Sequence, residues 1–193
     1  MILEALITTL DPGGAMHIAP MGPRVDADMR SFLLRPFPTS QTYQNLRAHP
    51  EGVLHVSDDV LLLAQAAVGQ IAESPPHRKA DKVRGFILCN ACRAYEFRAT
   101  SIDDSEPRVK IDCEVVRVER LRDFFGFNRA KHAVVEAAIL ATRVHLLEVA
   151  EIEAEFAKLT VIVGKTGGPR EHDAMALLQR YVADWNGRRG GEP

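Results

Sequence analysis

The sequence predicts an α+β protein in which a β-rich domain at residues 1–123 precedes a helical domain at residues 124–193. In the first region, runs of β-branched and aromatic residues are separated by turn signals such as Asp11-Pro12-Gly13-Gly14. Near its end, Val109, Ile111 and Cys113 alternate with charged residues, which is the two-residue period of a half-buried strand. From Asn128 onward the pattern becomes alanine-rich and helical, so the two regions differ in secondary structure.

The elements of the first region follow from local propensity and turn residues. Residues 3–25 are predicted to form a hairpin whose second strand is an edge or is bulged, because Pro20 and Pro23 cannot donate to a ladder. The alternation of the last strand slips at Val115-Val116, which predicts a β-bulge. Strands are predicted at 3–9, 15–25, 31–35, 52–56, 95–100 and 109–121, helices at 40–48 and 58–67, and loops at 74–79 and 102–107.

The helical region is predicted to contain three helices and a frayed tail. Asn128 is suited to cap the first helix, and the next two are expected at 148–160 and 171–185. Gly164-Lys165-Thr166 matches the end of a phosphate-binding P-loop, but Leu159 stands where that motif requires glycine. We therefore expect Gly164 and Gly167-Gly168 to end one helix and lead to the next. Residues 187–193 are expected to fray.

Composition excludes several classes of function. Of the 193 residues, 46% are hydrophobic and 26% are charged, and the formal net charge is −2, which disfavours a nucleic-acid-binding surface. The longest apolar run, at 60–68, is too short to span a membrane, and the first residues lack the pattern of a signal peptide. We therefore expect a cytoplasmic protein without a nucleic-acid or membrane partner.

The cysteines and histidines do not predict a metal or redox site. Cys89 and Cys92 have the CxxC spacing, but their neighbours are strand-like rather than a helix start, and a zinc site needs a second ligand pair that Cys113 alone cannot supply. The histidines are scattered along the chain. We expect no metal site and interpret the cysteines as incidental thiols.

The segment from Arg35 to Leu46 carries the main functional signal. Arg35 precedes three hydroxyl residues, Thr39, Ser40 and Thr42, at a predicted helix start. A guanidinium, hydroxyl donors and the free N–H groups of a helix N-terminus together suit a phosphate. The alternative is structural, because serine and threonine cap helices in many proteins and arginine is common on surfaces.

A second segment lies about twenty residues upstream, where a predicted strand ends in His17-Ile18-Ala19-Pro20-Met21-Gly22. Together the two segments predict a nucleotide-type cofactor.

Several motifs in this order resemble a known family. They are Glu4-Ala-Leu-Ile-Thr-Thr9 with Ala19-Pro-Met-Gly22, Arg35-Pro-Phe37 with Thr42-Tyr-Gln-Asn-Leu46, Phe127-Asn-Arg-Ala130 with Glu136-Ala137 and Ala141-Thr-Arg143, and Lys165-Thr-Gly-Gly168. The chain resembles the DUF447 family of the FMN-binding split-barrel superfamily, which includes flavin reductases and pyridoxine-phosphate-oxidase-like proteins. The resemblance covers nearly the whole chain.

The resemblance implies a fold, a cofactor and a set of contacts. The fold would be an FMN-binding split β-barrel of Greek-key topology followed by a small α-helical C-terminal domain, and the protein a homodimer with FMN at the interface. The flavin ring would lie along the strand from His17, and the phosphate at the Arg35 segment. Arg129 would supply charge near the cofactor or brace the two domains. The implied binding residues are His17, Ala19, Pro20, Met21, Gly22, Arg35, Thr39, Ser40, Thr42, Asn45, Asn128 and Arg129.

The activity that the resemblance implies is flavin-dependent oxidoreduction on a substrate that the sequence does not identify. No residue pattern assigns a general acid or base. Two alternatives remain: an FMN carrier or sensor without turnover, and a binding protein for another phosphorylated cofactor such as pyridoxal phosphate.

Overall fold

The computed structural model describes residues 1–189, which form nine strands and five helices. The strands are β1 (Ala5–Leu10), β2 (Met16–Met21), β3 (Arg24–Val25), β4 (Ser31–Leu34), β5 (Glu51–Val56), β6 (His77–Lys79), β7 (Phe86–Leu88), β8 (Arg93–Asp103) and β9 (Lys110–Arg120). The helices are α1 (Gln41–Ala48), α2 (Val60–Ala67), α3 (Arg129–Ala141), α4 (Val149–Thr166) and α5 (Pro169–Arg189).

Seven of these strands form one antiparallel sheet in the order β2-β1-β5-β8-β9-β4-β3, and β6 pairs with β7. The sheet curls so that β3, at one end, meets the residues that precede β1. Ile2 bridges Arg24, and the N–H of Val25 donates to the Met1 carbonyl at 2.9 Å. The curled sheet removes most exposed edges, which is the characteristic of a barrel.

The barrel interior is filled by apolar side chains that alternate along the strands. Phe32 and Phe97 meet edge to face with their ring centroids 5.1 Å apart. Gly52 lies beside them, and a Cβ at this position would come within 2.7 Å of the Phe97 ring, so only glycine fits. Helix α1 buries Tyr43 and Leu46 in the same core, and each large side chain stabilises the fold by about 1.5–3 kcal/mol.

Two buried polar groups hold the β6–β7 segment to the sheet. The Glu96 carboxylate accepts hydrogen bonds from the N–H groups of Asp81, Lys82 and Val83 at 2.5–3.1 Å. His55 is fully buried, and its Nε2 accepts from the Leu88 N–H at 3.0 Å. Burial lowers the pKa of His55 to about 3, against a smaller opposing effect of the Leu6 carbonyl, so this imidazole is neutral at pH 7.

Packing divides the chain into two compact units. The first comprises Met1–Ser57 and Ser74–Phe124, and contains the barrel. The second groups residues 58–73, which include α2, with the chain from Phe125 onward, and its helices pack through buried alanines such as Ala133 and Ala137. The predicted domain boundary at residue 123 stays a prediction.

Most predicted elements are confirmed. Ser40 and Asn128 cap α1 and α3, β2 is an edge strand, and Val116 is the extra residue of a bulge, because Phe97 pairs with Val115 and Glu96 with Arg117. The loops predicted at 74–79 and 102–107 are wrong in part, since residues 77–79 form β6 and residues 102–103 belong to β8. The predicted helix end at Gly164 is wrong as well, because α4 continues to Thr166 and Gly167 is its C-cap. The tail predicted to fray begins at residue 187, but α5 extends to Arg189. Residues 190–193 lie outside the described residues.

Candidate functional site

Arg35, Thr39 and Ser40 lie in the segment that connects β4 to α1. Thr39 is exposed, and Ser40 is half-buried as the N-cap. The Ser40 hydroxyl donates to the Phe37 carbonyl at 2.8 Å and accepts from the Tyr43 N–H at 3.3 Å. Ser40 therefore caps α1, as serine commonly does. An anion bound here would share the Ser40 hydroxyl with the Tyr43 N–H.

Arg35 follows β4 directly, and its guanidinium is incompletely paired. About a third (34%) of the side chain is exposed, and its closest ion pair places Nη2 3.8 Å from Glu106 Oε2. The Nε atom is buried, and no group in the described part of the chain is within hydrogen-bonding geometry of it. A distance of 3.8 Å is too long for a hydrogen bond, so Arg35 retains donors for an anion.

Thr42 and Asn45 lie on the buried side of α1. Asn45 Nδ2 donates to Thr9 Oγ1 at 2.9 Å, and Asn45 Oδ1 accepts from Gln41 Nε2 at 2.7 Å. Both residues are almost inaccessible, at 2% for Thr42 and 0% for Asn45. The Asn45 amide thus joins α1 to β1, which is a structural role sufficient to explain this residue.

The same hydrogen bond connects the two predicted cofactor segments. Thr9 lies opposite His17 in the β1–β2 ladder, so the His17 end of β2 lies beside α1. His17, Ala19 and Met21 share one face of β2, and Ala19 and Met21 pack against the barrel core. Partial burial lowers the pKa of His17 below its ordinary value, which favours the neutral imidazole.

The other residues of this segment lie along an edge of the sheet. Pro20 lies opposite Leu6 within the ladder, and exposed Gly22 follows the strand. Within residues 1–189 no strand pairs with the outer side of β2. Its outward backbone groups are thus available to a ligand or to another chain.

Asn128 and Arg129 belong to the second unit. Asn128 Oδ1 accepts from the Lys131 N–H at 3.1 Å, and Asn128 Nδ2 donates to the Thr166 carbonyl at 3.0 Å. Both ends of the amide are therefore used in the packing of this unit. Arg129 is exposed at the first position of α3.

Sequence reasoning missed the contribution of the turn between β8 and β9. The β4–β9 pairing brings this turn beside Arg35, whose carbonyl accepts from Arg108 Nη1 at 3.0 Å. The Arg108 guanidinium also stacks on Phe37, with its carbon 3.7 Å from the ring centroid. In the sequence this turn is only a polar loop. Its position beside Arg35 depends on the pairing of β4 with β9, which are distant in the chain.

A separate groove of about 530 Å³ lies on the first unit. It is lined by Asp26 and by residues of β3, β4, β8 and β9, which include Arg24, Asp112 and Glu114. None of the predicted cofactor-binding residues lines it. The Asp26 carboxylate accepts hydrogen bonds from Ser31, and the Asp112 carboxylate accepts one from Ser101. Both carboxylates are therefore already used in contacts within this unit.

The described residues lack the features of a membrane span and of a metal-ligand cluster. None of the helices within residues 1–189 combines the length and apolarity that a membrane-spanning segment needs. Across the same residues, no three side chains of His, Cys, Asp or Glu cluster as metal ligands.

Two family models match successive parts of the chain. The N-terminal domain of DUF447, a family of proteins of unknown function, matches residues 3–122, and its second domain matches residues 128–180. The chain belongs to the DUF447 family. This confirms the family predicted from the motifs.

Solved structures confirm the fold of this DUF447 protein. An FMN-bound DUF447 protein of Methanosarcina mazei is similar over 93% of this chain and 94% of its own, with 20% identity and a TM-score of 0.81. A 2-nitrobenzoate 2-nitroreductase of Pseudomonas fluorescens matches over 60% of this chain and 63% of its own, with 15% identity and a TM-score of 0.52. An FMN-binding protein of Thermus thermophilus matches over 62% and 70%, at 16% identity and a TM-score of 0.51. The fold is the predicted split barrel with a helical C-terminal region.

Proposed function

We propose that this chain binds FMN, with the phosphate at the start of α1 and the flavin ring along β2. The observation that carries the proposal is Arg35, whose buried Nε has no partner among the described residues and whose Nη2 has only a distant one. Exposed Thr39 and the Ser40 cap lie at the same helix start. A phosphate suits this set, because it offers several acceptor oxygens to a guanidinium fork.

The solved structures support the choice of FMN. The similar proteins of Methanosarcina mazei and Thermus thermophilus are described as FMN-bound and FMN-binding. In this chain, the Thr9–Asn45 hydrogen bond joins β1 to α1, and the edge of β2 lies beside it. This contact supports a cofactor that extends from the α1 segment to the edge of β2.

We propose further that the protein is a cytoplasmic homodimer and a flavin-dependent oxidoreductase. FMN when bound would supply the redox chemistry, while the chain would position it. The exposed outer edge of β2 supports a dimer, because a sheet edge tends to be covered by another chain. The nitroreductase of Pseudomonas fluorescens supports redox activity for the fold, although one fold carries many reactions.

A titration of the purified wild-type protein with FMN and with riboflavin tests the binding proposal. Because riboflavin lacks the phosphate, we expect FMN to bind at least about tenfold more tightly, which corresponds to about 1.4 kcal/mol. Quenching of flavin fluorescence provides the affinities. Equal affinities, or preference for pyridoxal phosphate over FMN, would overturn the assignment.

Turnover is a separate question that the same sample answers. Anaerobic addition of NADH or NADPH should reduce the bound flavin and bleach its visible absorbance if the protein is an oxidoreductase using a nicotinamide donor. Persistent absorbance with both donors would instead favour the carrier or sensor.

A further inference from the structure

The turn between β8 and β9 is the second wall of the Arg35 site. The Val109 N–H donates to the Pro36 carbonyl at 3.1 Å, which fixes the turn beside the strand end. The Tyr43 hydroxyl donates to Asp104 Oδ2 at 2.8 Å, which ties the turn to α1 as well. Side chains of the turn therefore have defined positions relative to Arg35.

Two cations of this wall lie close to Arg35. Arg108 is held by its bond to the Arg35 carbonyl and by stacking on Phe37, both of which orient its guanidinium without neutralising it. Lys110, at the start of β9, pairs with the carboxylate of Glu106. Three carboxylates of the same wall accompany these three cationic side chains: Glu106, Asp104 at the Tyr43 hydroxyl, and Asp103 near Lys110.

Glu106 is the anion that these cations share. Its Oε2 lies 3.8 Å from Arg35 Nη2, while Oε1 contacts Lys110 Nζ. Glu106 is almost half exposed, at 46%, so it can turn away from Arg35 into solvent. A pair at this exposure is weak, and a phosphate presents more charge and more acceptor oxygens than a carboxylate does.

We propose that Glu106 is an internal competitor for the phosphate of the ligand, and that Arg108 is the second cation that binds this phosphate. The proposal rests on the proposed function, since it concerns the same site. Glu106 is the carboxylate nearest to Arg35 when the ligand is absent and moves aside when the phosphate binds. Its negative charge therefore weakens binding, whereas the positive charge of Arg108 strengthens it.

Paired titrations with FMN and riboflavin test both residues. Glu106→Gln should tighten FMN binding about threefold to tenfold, because it removes a like charge and frees Arg35 and Lys110. Arg108→Gln should weaken FMN binding about tenfold. Riboflavin affinity should change less than twofold in both variants, since it lacks the phosphate. Inorganic phosphate without flavin should raise the melting temperature of Glu106→Gln at lower concentration than that of the wild type.

Glu114→Gln is the matched control for charge. Glu114 is an exposed carboxylate of β9 that lines the separate groove, so its removal should leave FMN affinity within twofold of the wild type. Arg108→Lys retains a cation without the planar stack and should lie between Arg108→Gln and the wild type. Thermal unfolding of each variant shows whether the barrel is intact.

The possible failures are distinguishable. If the wild type binds FMN better than riboflavin but Glu106→Gln binds FMN no more tightly, Glu106 is not a competitor, and the proposed function survives. If Arg108→Gln affects FMN and riboflavin equally, Arg108 has only a structural role. If the wild type itself does not discriminate FMN from riboflavin, the proposed function and this inference both fail.

Discussion

Lys131 in the second unit and Arg35 in the first unit differ in how closely their charges are paired. In the second unit, Lys131 Nζ donates to the Asp58 carbonyl and to Glu171 Oε1, each at 2.8 Å, and Glu171 also accepts from the Gly168 N–H. In the first unit, Arg35 has a buried Nε without a partner among residues 1–189 and a carboxylate no closer than 3.8 Å. Both regions match family models, but of these two cations only Arg35 has no partner closer than 3.8 Å among the described residues.

This difference separates structural motif residues from candidate binding residues. Asn128 and Lys131 have structural roles, in the helix cap and in the contacts that join α3 to the end of α4 and the start of α5. Arg35 gains little stability from its surroundings, because a partly exposed pair at 3.8 Å contributes at most about 1 kcal/mol. Incomplete pairing at a half-buried cation is a better indication of a ligand than the presence of the cation.

The largest effect is expected from breaking the buried pair of the second unit. Lys131→Ala should lower the free energy of unfolding by about 2–4 kcal/mol, because it leaves the Glu171 carboxylate, which is 7% exposed, without its cation. Urea unfolding followed by circular dichroism measures this change. Lys158→Ala, which breaks only an exposed pair with Glu155, should change stability by less than about 1 kcal/mol. Equal effects of the two substitutions would show that Lys131 is not a structural residue.

A second, smaller effect concerns pH and a buried group of the first unit. The folded-state pKa of His55, about 3, lies below the ordinary value of 6.5, so the unfolded chain binds the additional proton. The contribution of His55 to the free energy of unfolding is therefore fully present above about pH 6.5 and decreases as the pH falls toward 3. Between pH 7 and pH 5 the loss should be about 2 kcal/mol, measured by urea unfolding at both pH values.

His145→Gln is the control for the pH experiment, because His145 is exposed in the second unit. His55→Gln should reduce the loss between pH 7 and pH 5, whereas His145→Gln should retain it. An unchanged pH dependence in His55→Gln would contradict the assignment of the effect to this imidazole.

The elements that sequence predicted best are those with local signals. Ser40 and Asn128 cap helices through hydrogen bonds to residues three positions later, so the sequence alone contains both partners. The β6 strand was missed because a distant contact supports it, the bidentate pair of Arg78 with Glu119 at 2.6 Å. The prediction that a helix ends at Gly164 rests on the low helix propensity of glycine, which costs about 1 kcal/mol. Burial of the neighbouring Val163, which is 1% exposed, outweighs this cost.

The candidate site shows the same division. Arg35, Thr39 and Ser40 were found because they are adjacent in sequence to a predicted helix start. Glu106 and Arg108 were not found, because they come within reach of Arg35 only through the pairing of β4 with β9. Whether the predicted cofactor residues bind FMN stays a prediction.

The affinity of Arg35→Ala for FMN and for riboflavin tests the central claim, that Arg35 binds the phosphate, most directly. Loss of a charged hydrogen bond should weaken FMN binding by about 1.5–3 kcal/mol, which is roughly tenfold to a hundredfold, and leave riboflavin affinity within twofold. Arg47→Ala removes an exposed charge from the other end of α1 and should leave both affinities unchanged. Unchanged FMN affinity in Arg35→Ala, or equal losses for FMN and riboflavin, would contradict a phosphate site at Arg35.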